Sequence, residues 1–152
     1  MISNNQNPKS QISYDDVQVL IRETDQLKAQ HQFLLQQVEL INHSINDLDG
    51  SKASLSEILT REVGDTVLIP LGSQVLIETK IESKDSVLFD LGSNILRKIP
   101  LNEAIEKINL RIANLKKSLT TLSTQSIQLE SMIVQRENFL NQLVPISGAN
   151  NK

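Results

Sequence analysis

The 152-residue chain contains no cysteine and no tryptophan, and it has only five glycines and four prolines. Without cysteine there is no disulfide framework, no thiolate metal site and no cysteine nucleophile. Aromatic residues make up 3% of the sequence, which is too little for a core of large packed side chains. Leu, Ile, Gln, Glu and Lys dominate both ends, a composition typical of long helices.

The charge distribution and the hydropathy argue against further classes of protein. The net charge is −3 and both signs are interspersed, so the clustered Lys and Arg of a nucleic-acid-binding protein are missing. No window approaches the roughly 20 apolar residues of a membrane span. The N-terminus lacks the basic and apolar regions of a secretory signal. These features predict a cytoplasmic protein with no membrane and no nucleic-acid partner.

The first helical segment is predicted over residues 13–61, where Ser13 and Asp16 resemble a capping pair. Apolar residues then follow a sustained 3-4 spacing, which is typical of a coiled coil rather than of an ordinary surface helix. The two rows of this seam are Val17, Thr24, His31, Val38, Ile45, Lys52 and Leu59, and Leu20, Leu27, Leu34, Ile41, Leu48 and Leu55.

The second helical segment, residues 101–144, repeats the spacing. Its rows are Ile105, Ile112, Leu119, Ser126, Ile133 and Leu140, and Leu101, Ile108, Leu115, Leu122, Leu129, Arg136 and Leu143. Because the segments have similar lengths, they can pack antiparallel and bury each other's seams. The predicted fold class is therefore α+β: a long antiparallel coiled-coil hairpin in one domain over residues 1–152, with flexible tails at 1–12 and 145–152.

Polar residues interrupt the seam at a few positions, among them His31 and Lys52. A lone histidine cannot form a zinc site, and single polar seam residues commonly fix alignment. We therefore expect no metal and no cofactor. The predicted register brings Thr24 to Arg136 and so loosens that part of the coil. Gly50 either permits bending or is a harmless exposed glycine.

The middle of the chain has a different residue pattern from the two helical segments, and it contains an internal repeat. VLIPLGSQVLI (67–77) aligns with VLFDLGSNILR (87–97), each read as strand, turn and strand. The predicted strands are residues 67–71, 75–81, 86–91 and 95–99. Gly72 and Gly92 lie where a tight turn needs positive φ, and Pro70 belongs at an edge or a bulge.

Isolated hairpins are marginal in water, and these carry much apolar surface. Equivalent hairpins from other subunits would cover it by closing a β-barrel; the alternative is that the hairpins fold back on the helix base of a monomer. The residues predicted to assemble the oligomer are Val67, Ile69, Leu71, Gly72, Val75, Ile77, Val87, Phe89, Leu91, Gly92 and Ile95.

Apolar residues outside the seam concentrate at the helix ends that the predicted fold places away from the hairpins. Exposed apolar surface marks interaction sites, and Met132 is flexible enough for irregular partners. For Ile21 and Leu35, a wider helix–helix interface is an equally good interpretation. The residues predicted to form this interaction site are Ile12, Tyr14, Val17, Val19, Ile21, Met132, Phe139, Leu143, Val144 and Ile146.

The hairpins and the helix that follows them resemble the α-type subunits of the prefoldin family. Pro70, Gly72, Gly92, Ala104 and Ile105 stand where that pattern expects them, and two hairpins rather than one favour the α class. The resemblance implies an archaeal-like subunit of a hexamer of two α and four β-type subunits with a double β-barrel body. Such complexes hold non-native client proteins without ATP and deliver them to a group II chaperonin. The resemblance implies that the interaction-site residues given above are the client-binding residues.

An enzyme is not expected, because two rods with small hairpins offer no enclosed site for converging groups. The glycine-containing turns LGSQV and LGSNI lack the lysine of a phosphate-binding loop. The competing hypothesis is a coiled-coil scaffold or tether of the prefoldin-like type. Such a protein would bind stable native partners and have little affinity for unfolded chains.

Overall fold

A computed structural model describes residues 12–143. The elements in chain order are α1 (Tyr14–Thr60), β1 (Thr66–Gly72), β2 (Val75–Lys80), β3 (Ser86–Asp90), β4 (Leu96–Pro100) and α2 (Leu101–Leu143). Two long helices with two β-hairpins between them confirm the predicted fold class. Residues 1–11 and 144–152, which include most of the predicted tails, lie outside the described residues.

Each hairpin is a two-stranded antiparallel sheet. The first, β1–β2, pairs Thr66 with Lys80 and continues to Pro70 opposite Leu76, after which the register shifts. The second, β3–β4, runs without a shift from Ser86 opposite Pro100 to the turn. The irregularity beside Pro70 fits a residue that cannot donate a ladder hydrogen bond. Within the described chain, the outer edges of both sheets have no strand partner.

The two turns differ in a way that the repeat does not indicate. Gly92 has the predicted positive φ of 97°, and Ser93 and Asn94 follow at 54° and 61°. The N–H of Ile95 donates to the Gly92 carbonyl at 3.0 Å, so the second turn is of the primed kind that suits hairpins. In the first turn Gly72 also has a positive φ, of 159°, but it is close to extended, and Gln74 takes the left-handed conformation at 68°.

The chain divides into two compact units. The terminal unit comprises residues up to 38 and from 121 onward, and the hairpin unit comprises residues 39–120. The terminal unit pairs the N-terminal part of α1 with the C-terminal part of α2, and the hairpin unit pairs the remaining helical segments. Early residues of α1 thus group with late residues of α2, as expected for helices that pair antiparallel within each unit.

The core of the hairpin unit consists of the buried isoleucines Ile45, Ile108 and Ile112. Their partly buried neighbours from the helices are the predicted seam residues Ile41, Leu48, Leu55, Leu115 and Leu119. Phe89 also packs there, although it was predicted to contact other subunits. The reason is strand alternation, which turns Val87 and Phe89 toward the helices and leaves Leu88 outside.

The seam changes position in the last turn of α1. Leu59, a predicted seam residue, is 38% exposed, whereas the neighbouring Ile58 is half-buried. Ile58 lines a groove with Val87 and Phe89 of the second hairpin. At this end of α1 the hairpin, and not only α2, decides which face of the helix is buried.

The segment that joins the two hairpins also caps the end of α1. The ammonium group of Lys84 donates to the carbonyls of Leu59, at 3.1 Å, and of Arg61. These carbonyls have no helical partner, and a cation is favourable at the negative end of a helix. Next to it, the N–H of Ile81 donates to the Asp65 carbonyl at 3.0 Å. Residues 82–85, between the two hairpins, are thus attached to the end of α1 through Lys84.

Candidate binding surfaces

The helix pair of the terminal unit is held by polar contacts as well as by its seam. Thr24 is 2% exposed, and its hydroxyl donates to the Leu20 carbonyl at 2.7 Å. Arg136 donates to Glu23, the residue before Thr24, at 2.6 Å. The polar layer is satisfied, because no described buried side-chain nitrogen or oxygen lacks a hydrogen-bond partner.

A second ion pair crosses between the helices, with Lys28 Nζ 2.7 Å from Glu137 Oε1. The hydrogen bond to Glu137 and the negative charge of that carboxylate raise the pKa of Lys28 above its usual value. Both side chains are about half exposed, so solvent screens the attraction. The pair therefore adds little stability, but it shows which sides of the two helices face each other.

One apolar strip flanks the Glu23–Arg136 pair. Residues three or four apart on a helix are neighbours, which places Val19 beside Glu23 and places Met132 and Phe139 on either side of Arg136. Phe33 follows Val19 by two heptads and lies on the same side of α1. The members of this first strip are Val19, Phe33, Met132 and Phe139, which are 51, 58, 43 and 44% exposed.

Another apolar strip flanks the Lys28–Glu137 pair. Ile21 and Leu35 lie one heptad to either side of Lys28, and Val134 precedes Glu137 by one turn. The members of this second strip are Ile21, Leu35, Ile127 and Val134, which are 37, 41, 67 and 48% exposed. Ile21 lines a groove with Thr24 and Leu140, so it borders the helix–helix contact while keeping part of its surface free.

The predicted client residues fall into three groups. Exposed residues are Ile12, Tyr14, Val19, Ile21, Met132 and Phe139. Val17 and Leu143 are half-buried at seam positions, which leaves less of them available to a partner. Val144 and Ile146 lie outside the described residues. The predicted set lacks four strip residues, Phe33, Leu35, Ile127 and Val134, although Phe33 and Leu35 lie two heptads from the predicted Val19 and Ile21.

The hairpins carry the other large apolar surface. Ten of their apolar side chains are exposed: Leu68, Ile69, Leu71, Val75, Leu76, Ile77, Leu88, Leu91, Ile95 and Leu96. Six of these were among the predicted assembly residues, whereas Val67, Val87 and Phe89 are half-buried. The four missed residues are leucines, each at least 60% exposed. They could have been predicted from the alternation of strand residues between the two faces of a sheet, because they lie on the face opposite to that of the predicted residues.

Within residues 12–143, no cluster of three or more His, Asp or Glu side chains could hold a metal ion. None of the described helices has an apolar stretch of the length and hydropathy needed to cross a membrane. The grooves along the two units are lined in part by exposed apolar residues, among them Leu68 and Ile69 in the hairpin unit and Ile21 in the terminal unit. Exposed apolar surfaces such as those described above commonly bind other proteins.

These features define a class of protein: two long helices that pair within each unit, with two β-hairpins between them and many exposed apolar residues. The family model "Prefoldin subunit" matches residues 27–144. The chain belongs to the prefoldin family, and the relatives named below identify it as an α-type subunit.

The chain is similar to a putative prefoldin subunit alpha of Aquifex aeolicus, with 34% identity over 80 residues. That match covers 53% of this chain and only 54% of the relative. A prefoldin subunit alpha of Thermofilum pendens is 27% identical over 111 residues, covering 73% of this chain and 75% of the relative. Among solved structures, the filamentous prefoldin of Methanocaldococcus jannaschii matches with a TM-score of 0.65 and 28% identity, covering 78% of this chain and 95% of the other.

Proposed function

We propose that this chain is a subunit of an ATP-independent chaperone that holds non-native proteins on its terminal unit and assembles through its β-hairpins. The observation that carries the proposal is the pair of apolar strips beside the two ion pairs of the terminal unit. Membership of the prefoldin family supports it.

Burial of client side chains against the strips would supply the binding energy. Apolar area removed from water contributes about 25 cal/mol per Å², so each strip residue that a client covers adds a modest increment. Many weak contacts spread along helices fit clients that differ in sequence and shape. Met132 adds an adaptable, polarizable side chain to the first strip. Such holding needs no chemical step, and therefore no nucleotide.

The hairpins fit the role of assembly surface, since their outer edges and much of their apolar area are uncovered. Uncovered edges and apolar faces favour pairing with further strands. The proposed partners are prefoldin β-type subunits, in a cytoplasmic hexamer of two α and four β, and a group II chaperonin that receives the client. The similarity to a filamentous prefoldin makes a filament the competing form of assembly.

An aggregation assay with a chemically unfolded substrate tests the proposal. The assembled protein should suppress light scattering equally with and without ATP. The double variant Met132→Ser/Phe139→Ser should lose most of the suppression, because both substitutions remove apolar surface from the first strip. Serine at these positions leaves the buried Ile133 in place, whereas a truncation before it would remove part of the seam.

The matched control is Leu110→Ser, which removes a leucine that is 65% exposed on the hairpin unit. It should suppress aggregation as well as the unmodified protein does. Circular dichroism and the size of the assembly should be the same for all three proteins. Suppression that survives the double variant would contradict the strip assignment. A protein that never suppresses aggregation but binds a native partner would be a scaffold instead.

A further inference from the structure

Glutamine is concentrated in the terminal unit. Of the eleven glutamines among residues 12–143, ten belong to this unit, and Gln74 belongs to the hairpin unit. Nine of the ten are exposed, and Gln37 is half-buried. Positions beside a coiled-coil seam are often charged, so the pairing of the helices does not by itself require these neutral amides. The ten are Gln18, Gln26, Gln30, Gln32, Gln36, Gln37, Gln125, Gln128, Gln135 and Gln142.

Two of these glutamines lie within the first strip. Gln26 is in one row of α1 with Val19 and Phe33, one heptad from each. Gln135 lies between the two strip residues of α2, three residues after one and four residues before the other, so it neighbours both. Each carboxamide is thus surrounded by apolar side chains that are largely exposed.

The ion pair beside this strip places the two carboxamides close in level. Gln26 is three residues after Glu23, and Gln135 directly precedes Arg136, whose guanidinium is 2.6 Å from the Glu23 carboxylate. The two glutamines therefore lie within about one helical turn of each other along the helix pair. A polypeptide segment that crosses the strip can meet one carboxamide on each helix.

The second strip has the same apolar spacing but carries charges at the matching places. On α1, Lys28 lies one heptad from each of the two strip residues, as Gln26 does in the first strip. On α2, Glu130 lies three residues after one strip residue and four before the other, as Gln135 does. At these two positions the strips therefore differ in chemistry while their apolar residues are arranged alike.

A carboxamide can pair with both polar groups of a peptide bond, because its oxygen accepts and its nitrogen donates hydrogen bonds. When apolar side chains of a bound segment are buried on a strip, the peptide groups between them lose water, and leaving them unpaired is costly. In a folded protein these groups are already paired, whereas a non-native chain presents them. An ammonium group only donates and a carboxylate only accepts, and removing either charge from water costs more.

We propose that Gln26 and Gln135 hydrogen-bond the exposed peptide groups of a non-native chain held on the first strip, which thereby takes uncharged segments whose backbone is unpaired. Apolar contact supplies the attraction, and the two carboxamides make it depend on backbone groups that a native protein does not offer. The inference rests on the proposed function and adds the class of client segment and the residues that select it.

Replacing the carboxamides by thioethers separates hydrogen bonding from apolar burial. The assembled protein is titrated with a fluorescent, uncharged peptide in which leucine and phenylalanine alternate with serine, and anisotropy gives the Kd. The double variant Gln26→Met/Gln135→Met adds apolar area at both positions, so apolar contact alone would make binding tighter. We expect binding to be about fivefold weaker, because the hydrogen bonds to the peptide backbone are lost.

A second peptide of the same sequence carries N-methyl groups in place of its backbone N–H groups. The loss of affinity in the double variant should shrink with this peptide, because the unmodified protein then also lacks those hydrogen bonds. The matched control protein is Asn46→Met/Asn114→Met, which exchanges one exposed carboxamide on each helix of the hairpin unit. It should bind both peptides as the unmodified protein does, and circular dichroism should be the same for all three proteins.

The outcomes distinguish this inference from the proposed function. Equal or tighter binding of the first peptide by Gln26→Met/Gln135→Met would overturn the role of the carboxamides and leave holding by the apolar strips in place. An equal loss of affinity for the N-methylated peptide would overturn that role as well. An unmodified protein that binds neither peptide would contradict the proposed function and this inference together.

Discussion

The helix pairs of the two units share one seam spacing but bury different residues. In the hairpin unit the seam buries Ile45, Ile108 and Ile112 in one cluster. In the described part of the terminal unit, Ile133 is the one buried apolar residue, and Thr24 and Ser126 are the buried polar ones. A heptad pattern therefore predicts which side of a helix is buried, but it does not predict how much apolar packing results from that burial.

The exposed sides of the helices also differ, because the terminal unit, which buries fewer apolar residues, exposes more of them. Helices of the hairpin unit expose three large apolar residues, Leu40, Leu59 and Leu110. Those of the terminal unit expose eight in the two strips and also Tyr14. Apolar area left in water does not stabilise the fold, so the terminal unit keeps surface that another protein can cover. The hairpin unit's helices contribute mainly to stability.

The largest effect is expected from a cavity in the core of the hairpin unit. Ile112→Ala should lower the free energy of unfolding by about 2–5 kcal/mol, because it removes a buried side chain that is 6% exposed. Urea unfolding followed by circular dichroism measures it. The control Ile127→Ala, at a position 67% exposed in the terminal unit, should change stability by about 0.5 kcal/mol or less. Equal losses of stability at both positions would contradict the difference in packing described for the two units.

A smaller effect is expected from the buried threonine of the terminal unit. Thr24→Val exchanges the hydroxyl for a methyl group of similar shape, and the freed Leu20 carbonyl belongs to the helix ladder. Stability should stay the same or rise by about 1 kcal/mol at most. Thr24→Ser, which keeps the hydroxyl and loses the methyl, should destabilise instead. Heat denaturation ranks the three proteins, and a strong loss in Thr24→Val would show that the hydroxyl, not packing, holds the layer.

Much of the fold could be predicted because coiled coils and tight hairpins depend on local spacing. Among the described element ends, no predicted boundary is more than one residue from the observed one. What could not be predicted depends on contacts between distant segments. Lys84 contacts the end of α1 across more than twenty residues of sequence, and Phe89 packs against the helix core.

The candidate surfaces were predicted less completely for a related reason. Off-seam apolar residues are visible in the sequence, but their grouping into two strips depends on which sides of the helices meet. The Glu23–Arg136 and Lys28–Glu137 pairs supply that information. In the turns, positive φ was predicted for the two glycines, which have it, but not for Gln74, Ser93 and Asn94, which take the left-handed conformation. In the first hairpin, turn geometry follows the shifted register beside Pro70.

Site-specific photo-crosslinking is the most direct measurement of the claim that the terminal unit holds non-native protein. A photoreactive side chain replaces Phe139 in one sample and Leu110 in another, both exposed positions on α2, and each assembled protein is irradiated with an unfolded substrate. We predict strong crosslinks to the substrate from position 139 and few from position 110. Equal yields at the two positions, or a higher yield at 110, would contradict the account.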